Sequence, residues 1–471
     1  MKGYSMHRRL TTSATMWAVG FSFVFAAAAE SADSPAPPAR AKYLLLDSRI
    51  IERTENARLA VGTVKKHPAN PLFKEDKPWE PRFDNLYPNI LYDEEAKIYK
   101  CWYSPFIVDK AASQTPRKRR SKMPYRPRGR EMGVCYATSK DGLAWKKPEL
   151  GLVEFKGSKA NNLVVRGPHG AGIFKDAREA DPARRYKMFY KGRGMCVRFS
   201  PDGLRWGKEI RCPEIAAAGD THNNAFWCPE LKKYVGITRL WAGQRIVGRT
   251  ESPDFLDWTK AVEVLRGDKA HQAYAMPVFR HGGVYLGLVM IFRPKPNRVH
   301  CELTWSPDTV TWRRIDRGTP LIPLSEKKGA YDWGCAYAAA RPVFLKDEIR
   351  LYYGASNGTH HGWRDGFLAL ATLRPDGFAG YEPEQEDEPA VVVTKPVPCR
   401  GKRLWLTADV ADGGSVKVTA LDEAGKETGA RTLTAGATEA TVLDLSGRGG
   451  KPLRLRLEID RAKAYAFGFT Q

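Results

Sequence analysis

The chain has 471 residues, of which 42% are hydrophobic, 11% aromatic and 27% charged, and its formal net charge is +23. This is a globular composition, long enough for one large domain and a small one. Thirteen tryptophans, 42 glycines and the lack of any long helical periodicity exclude a helical bundle and favour a turn-rich β protein.

Residues 1–29 read as a secretion signal. Lys2, Arg8 and Arg9 form a basic start, Ala14 to Ala29 is apolar, and AAAAESA offers small-residue cleavage sites. The alternative, a retained anchor, calls for a longer apolar run. Residues 30–41, with SADSPAPPARA, read as a linker. The mature chain is then exported, periplasmic or extracellular, with no stable membrane span. Loss of the three basic residues lowers its charge to +20. All eight cysteines follow the signal without CxxC or metal-ligand spacing. Cys135 and Cys196 each stand four residues before a repeated serine and read as small buried side chains.

The repeat organises the next 350 or so residues. SKDGLAW begins at Ser139, SPDGLRW at Ser200, SPDFLDW at Ser252 and SPDTVTW at Ser306. A degenerate fifth copy, RPDGFAGY, runs from Arg374 to Tyr381. Ahead of each copy lies an apolar strand, a tight polar turn and a second strand: 89–103, 172–190, 224–238, 277–292 and 342–355. Each unit reads as four antiparallel strands, and five such units over residues 42–388 predict an all-β, five-bladed β-propeller. Asp141-Gly142 and Asp202-Gly203 suit a turn that needs a left-handed residue. Serine and aspartate side chains can bond the turn's N–H groups. SxDGxxW resembles the Asp box of sialidase-type propellers, a structural element. From about Pro389 the pattern changes to RLWLTADV, SVKVTAL, ATVLDL and LRLRLEI, which alternate with period two and predict a small β-sandwich over 389–471.

In an antiparallel blade the repeated turns share one end, and the long loops and blade connections share the other, so function is expected on the second end. There the sequence offers Asp84 and Asn85 in RFDNLYPN. GDTHNN supplies Asp220, His222, Asn223 and Asn224; DKAHQAY supplies Asp268, His271, Gln272 and Tyr274; and GAYDWGCAY supplies Asp332, Trp333 and Tyr337. Long loops add Arg239, Trp241, His360, His361, Trp363 and Arg364. Carboxylates and amides bond hydroxyls and aromatics stack on sugar faces, so the set suits a hydroxyl-rich ring.

Inner-strand aspartates, YATSKDGLAWKKPELGLVEFKG and a trailing β-sandwich resemble the glycoside hydrolases of families 32, 43 and 117, and most of all exported family-32-like bacterial proteins. The resemblance covers Lys42 to Gln471. It implies a glycosidase in which a blade-one aspartate is base or nucleophile, a blade-three aspartate tunes and positions, and a blade-four glutamate is the acid. Asp84 and Asp220 match the first two. Blade four reads AHQAY and lacks the glutamate. Family 117 uses a histidine as acid, which points to His222 or else His271, with Asp332 in reserve. The chemistry implied is glycosidic hydrolysis by two groups flanking the bond.

Other readings are a non-catalytic glycan-binding propeller that has lost its acid, and a lyase or sulfated-glycan enzyme. Export and the lack of a matching fold argue against nucleic acid as partner despite a pI near 9.6. No Walker, Rossmann or HExxH pattern occurs, and no cofactor is called for. A structural Ca²⁺ or Na⁺ ion on the axis is compatible, with no residue run that encodes it. RKRRSKMPYRPRGR, Arg117 to Arg130, holds eight Lys or Arg, no acid and Tyr125. Placed beside Asp84, it predicts a sulfated or uronic glycan.

Overall fold

The short β-rich runs form five successive antiparallel meanders. In the first, Asn89–Asp93, Ile98–Tyr103, Arg130–Ser139 and Trp145–Lys146 pair in order, with Asn89 opposite Trp102 and Tyr99 opposite Ser139. Phe106–Asp109 and Leu163–Arg166 also pair with its third strand. The second is His169–Lys175, Tyr186–Gly192, Gly194–Ser200 and Ile210–Arg211. The third is Asn224–Cys228, Lys233–Trp241, Arg245–Ser252 and Val262–Arg266. In the fourth, Gln272–Ala275 and Val278–His281 both line Val284–Arg293, followed by Arg298–Ser306 and Arg313–Arg314. The fifth pairs Cys335–Ala338 and Val343–Phe344 with Ile349–Ser356, and that with Gly366–Leu373. Its outermost strands come from the other end of the chain: Lys65–Lys66 and Phe73–Lys74.

This computed structural model describes residues 41–123, 128–448 and 450–470, which lie in one unit spanning Pro37–Gln471. The signal 1–29, the linker 30–41 except Ala41, and Tyr125 lie outside the described residues. Among the described residues the α-helix is a single five-residue one, Lys110–Gln114, and no helix is long and apolar enough to cross a membrane. All eight cysteines are buried and free.

The repeated phrase closes the same turn four times. Ser139 Oγ donates to Asp141 Oδ1 at 2.8 Å and accepts from Gly142 N at 2.8 Å; Asp141 Oδ1 also accepts from Leu143 N and Ala144 N. Ser200/Asp202, Ser252/Asp254 and Ser306/Asp308 repeat the aspartate bonds with distances of 2.7 to 3.1 Å. The residue after the aspartate is left-handed in every copy, with φ of +76° at Gly142, +77° at Gly203, +69° at Phe255 and +70° at Thr309. Two copies therefore hold a side chain where glycine is favoured, at about 1–2 kcal/mol each. Each of the two recovers a contact: Phe255 packs among Phe174, Phe189, Tyr234 and Trp258, and Thr309 Oγ1 accepts from Arg249 Nε at 2.9 Å.

Every turn docks on the preceding meander. Trp102 of the first donates to Gly203 O of the second at 2.6 Å, and Phe255 of the third meets Phe189 of the second. Thr309 of the fourth meets Arg249 of the third. The first turn docks on the fifth meander, where Tyr352 donates to Gly142 O at 2.9 Å and Arg350 to Asp141 O at 2.5 Å. These contacts join the fifth meander to the first and run on to the fourth, and a parallel pair, Val299 with Cys335, joins the fourth meander to the fifth.

The degenerate fifth phrase does not form this turn. Asp376 has φ +60°, and its carboxylate takes Lys42 and His281 instead of local N–H groups. The chain then leaves the meander as Ala379–Pro383 and enters a nine-stranded sheet with Lys42–Leu44, Ile51–Glu55, Ala57–Val61, Ala390–Thr394, Glu427–Leu433 and Ala437–Asp444. Its backbone is two long strands, Arg403–Leu421 and Arg454–Thr470, paired from Arg403↔Thr470 to Leu421↔Arg454. RLWLTADV and SVKVTAL belong to the first of these, with a register shift between Val410 and Ser415. The expected boundary at 388/389 runs through this one sheet, because residues 42–61 and 379–383 pair within it. Sequence pattern marks strands and not their partners.

Candidate functional site

The residues just ahead of the first strands converge. Asn85 Nδ2 donates to Tyr87 OH at 2.6 Å and to Tyr274 OH at 3.1 Å, and the two phenols stand 3.5 Å apart. The Tyr337 ring lies 6.1 Å from Tyr87 and 5.6 Å from Tyr274, and its hydroxyl meets His360 Nδ1 at 2.8 Å. Three buried tyrosines from the first, fourth and fifth meanders thus make a floor.

Asp84 stands on one side of that floor. Arg82 Nη2 and Arg364 Nη2 each reach its Oδ1 at 2.8 Å, and Arg364 Nη2 also donates to Asn85 Oδ1 at 2.6 Å. Desolvation works against the Asp84 charge, but Arg364, Arg82 and Arg130 outweigh it and hold the carboxyl below the usual range. The backbone here is strained: Asp84, Leu86 and Tyr87 have φ of +60°, +62° and +45°. Such residues persist only where their surroundings over-determine them, and they cluster at functional sites. The surroundings are tight. A Cβ on Gly354 of the fifth meander would stand 2.3 Å from Asn85 O.

Asp220 stands ahead of the first strand of the third meander. Arg239 Nη2 lies 2.8 Å from its Oδ2 and the His169 ring 2.8 Å from its Oδ1. Desolvation again opposes the charge, and His169 and Arg239 together hold the carboxyl far below the usual range, although the side chain is 57% exposed. Arg239 in turn stacks on Tyr274, with its guanidinium 4.6 Å from the ring centre. Both carboxylates are therefore ionised at neutral pH, and neither is suited to donate a proton.

Several expected residues take other roles. His222 is fully buried beneath Tyr87, with ring centres 5.2 Å apart, and lies 3.4 Å from Asn89 Oδ1. Burial pushes its imidazole down to about 4. It stands just ahead of the strand Asn224–Cys228, and its burial and lowered basicity suit packing better than proton donation. Asn223 spends its amide on Gly170 O and Gly219 O, at 3.0 Å each. Asp332 is fully buried and bonds Lys66 at 2.6 Å, Tyr353 at 2.9 Å and Ser325. It fastens the N-terminal strands to the fifth meander. Trp333 lies beside it, under the Arg298 guanidinium. His271 pairs with Asp268 at 3.1 Å on the rim, and Gln272 accepts from Arg245 at 2.9 Å. Asn85, Tyr337, His360 and Arg239 each touch Tyr274, His361 lies beside His360, and Trp241 joins them through Arg245. His360 is buried against Tyr274 and Phe292; its half-open neighbour His361 is 4.6 Å away.

Arg82, Tyr87, His169 and Arg245 were not singled out in the sequence. His169 had a usable signal, since HGAGIFK opens the first strand of the second meander at the position where the other meanders supplied candidates. Glu75 was missed too. Its carboxyl accepts from Phe83 N and Gly366 N, and desolvation raises it to about 7. Arg117 and Arg120 of the basic segment reach this side: Arg117 lies 3.7 Å from Glu75, and Arg120 covers the Trp363 ring at 5.3 Å. Arg82 also lies beside that ring, at 5.1 Å.

Clefts of about 370 and 290 Å³ open at the opposite ends of the first strands, around Arg341, Lys175 and Phe174. Within them Asp93 pairs with Lys100 of its own meander and Glu95 with Lys175 of the second. Among the described residues no group of three or more His, Cys, Asp and Glu stands together as metal ligands would.

No protein-family model matches the sequence, and no curated protein matches it. Solved structures do resemble the fold. An N-acetylgalactosamine deacetylase from F. plautii is 15% identical, with TM-score 0.45, over 69% of this chain and 97% of that one. A glycosyl hydrolase from Bacteroides ovatus is 15% identical, with TM-score 0.44, over 69% and 98%. A β-1,2-mannobiose phosphorylase from Listeria innocua is 14% identical, with TM-score 0.47, over 66% and 97%. The neighbours of this chain are glycoside hydrolase-like proteins.

Proposed function

We propose that the five meanders are the blades of a β-propeller, followed by a C-terminal β-sandwich, and that the chain is an exported enzyme that hydrolyses glycosidic bonds at the Asp84 mouth. One observation carries this reading: two carboxylates, each held ionised by arginine, flank a floor of tyrosines, and a histidine sits on one of them. Asp84 takes a proton from water as that water attacks the anomeric carbon, or attacks that carbon itself, and water then hydrolyses the glycosyl ester and frees the carboxylate. His169, held by Asp220, donates a proton to the departing oxygen. The acid thus moves from His222 and His271 to His169. The four serine-aspartate turns are Asp boxes and structural. The Arg117–Lys122 segment, docked at Glu75 and Trp363, favours a sulfated or uronic glycan.

A second reading, a glycan-binding propeller without catalysis, draws on the strong ion pairing of both aspartates. The purified protein should be screened against neutral, uronic and sulfated polysaccharides for reducing-end release and for retention on the same polymers. Release that His169→Gln abolishes supports hydrolysis. Retention without release supports the binding module, and neither result on any polymer overturns both readings.

A further inference from the structure

The second and third strands of the third meander carry a second feature. Trp241 lies opposite Arg245 in the antiparallel register, and Arg239 is two residues before Trp241. Period two therefore puts all three side chains on one face. Both guanidiniums lie on the Tyr274 ring, at 4.6 Å for Arg239 and 5.2 Å for Arg245. Arg245 also lies 4.7 Å from the Phe292 ring and 5.7 Å from Trp241.

The charges do not balance. Arg239, 4% exposed, has Asp220. Arg245 pairs with no carboxylate among the described residues, and its polar partner is the neutral Gln272. Arg239 Nη1 and Arg245 Nε are buried without a hydrogen-bond partner. Two like charges sharing one aromatic face are costly unless an anion joins them. Desolvation and the Arg239 charge both weigh against the Arg245 cation, and its guanidinium sits below its usual range. Trp241, 60% exposed beside it, offers a flat apolar face.

Resting on the glycan reading above, we infer that Arg239, Arg245 and Trp241 form a subsite for an oxyanion carried by a sugar, a sulfate ester or a uronate carboxylate. The guanidinium fork takes the oxyanion. Trp241 takes the apolar face of the ring that bears it. The anionic preference then resides in the mouth itself, and the Arg117–Lys122 segment adds only long-range attraction.

The test is calorimetric titration of the full chain, at constant ionic strength, with sodium sulfate, inorganic phosphate, glucuronate, and a matched pair of neutral and sulfated oligosaccharides. The expected result is saturable binding of the anions and at least tenfold tighter binding of the sulfated oligosaccharide than of its neutral partner. Arg245→Met should remove that preference, Arg245→Lys should retain part of it, and Trp241→Ala should weaken the oligosaccharide but not free sulfate. Should Arg245→Met fail to fold, the partial loss of preference in Arg245→Lys carries the comparison, and equal preference in Arg245→Lys and the parent then counts against the subsite. No anion binding, equal binding by Arg245→Met, or binding of free anions without preference for the sulfated sugar overturns the subsite. The readout needs no turnover. An inactive protein that shows the preference refutes hydrolysis alone, and one active on neutral glycans without it refutes the subsite alone.

Discussion

The serine-aspartate turns and the Asp84 mouth use the same residue types in opposite ways. In the turns, Asp141 bonds the N–H groups of Leu143 and Ala144 and the Ser139 hydroxyl, all within three residues, and these bonds draw its carboxyl down to about 2. At the mouth, Asp84 is held by Arg82 next to it and by Arg364 from the fifth meander. Local bonds make a rigid, repeatable corner whose charge is used up in holding the chain. Partners from other meanders, Arg364 for Asp84 and His169 for Asp220, reach the two carboxylates beside the tyrosine floor. Aspartate count therefore does not mark the mouth: partners all within three residues mark a corner, while a distant partner fits a fastening as well, as Lys66 does for Asp332.

An inert mouth would remove the division of labour between mouth and turns. Asp84→Asn and Asp220→Asn should each cut turnover on a confirmed glycan on the order of 10³-fold, while Asp141→Asn leaves it nearly unchanged. Equal rates in all three would move the chemistry elsewhere. At the turn end, Trp258 is buried against Phe189 and Phe255. Trp258→Ala should cost about 3–5 kcal/mol in denaturant unfolding, with specific activity retained by the folded fraction. A stable but inactive variant would contradict the division.

Glu75, beside Phe83 and Gly366, ties stability to pH. Its carboxyl is raised from its ordinary value to about 7, so the native state holds a proton that the unfolded chain gives up near pH 4.5. The stability tied to that proton is complete below about pH 4.5 and is lost as pH rises through about 7. Glu75→Gln keeps the acceptor for Phe83 N and Gly366 N and removes the titration. It should match the parent near pH 4.5 and exceed it by roughly 2–3 kcal/mol at pH 8, read as unfolding free energy against pH. A constant difference across pH would show that Glu75 stays ionised. Smallest, Ser139→Ala loses one hydroxyl that bridges Asp141 and Gly142 N, and should cost about 1 kcal/mol with no change in activity. A larger loss would mean that the turn governs docking on Tyr352 as well.

Much of this molecule was legible in advance. The paired strands at 89–103, 224–238 and 342–355 and the four serine-aspartate turns depend on contacts a few residues apart, which alternation and turn chemistry report directly. Asp84, Asn85 and Asp220 were legible as polar residues ahead of apolar strands. His222 and Asp332 have the same local appearance, yet one is sealed beneath Tyr87 and the other is paired with Lys66. Arg82 and His169 escaped notice because their partners are fixed only when the meanders meet.

Local pattern along the chain placed the strands, the corners and the polar side chains that crowd ahead of the first strands, because hydrophobic period and turn geometry act over fewer than about ten residues. Tertiary structure alone decided that Lys65–Lys66 and Phe73–Lys74 complete the fifth meander, and that residues 42–61 join the C-terminal sheet. It also decided which aspartates meet arginine. An exposed backbone edge accepts any strand of suitable register, and a carboxylate accepts any cation brought within about 3 Å. Both choices are made by chain segments hundreds of residues apart, whose encounter depends on the packing of the whole.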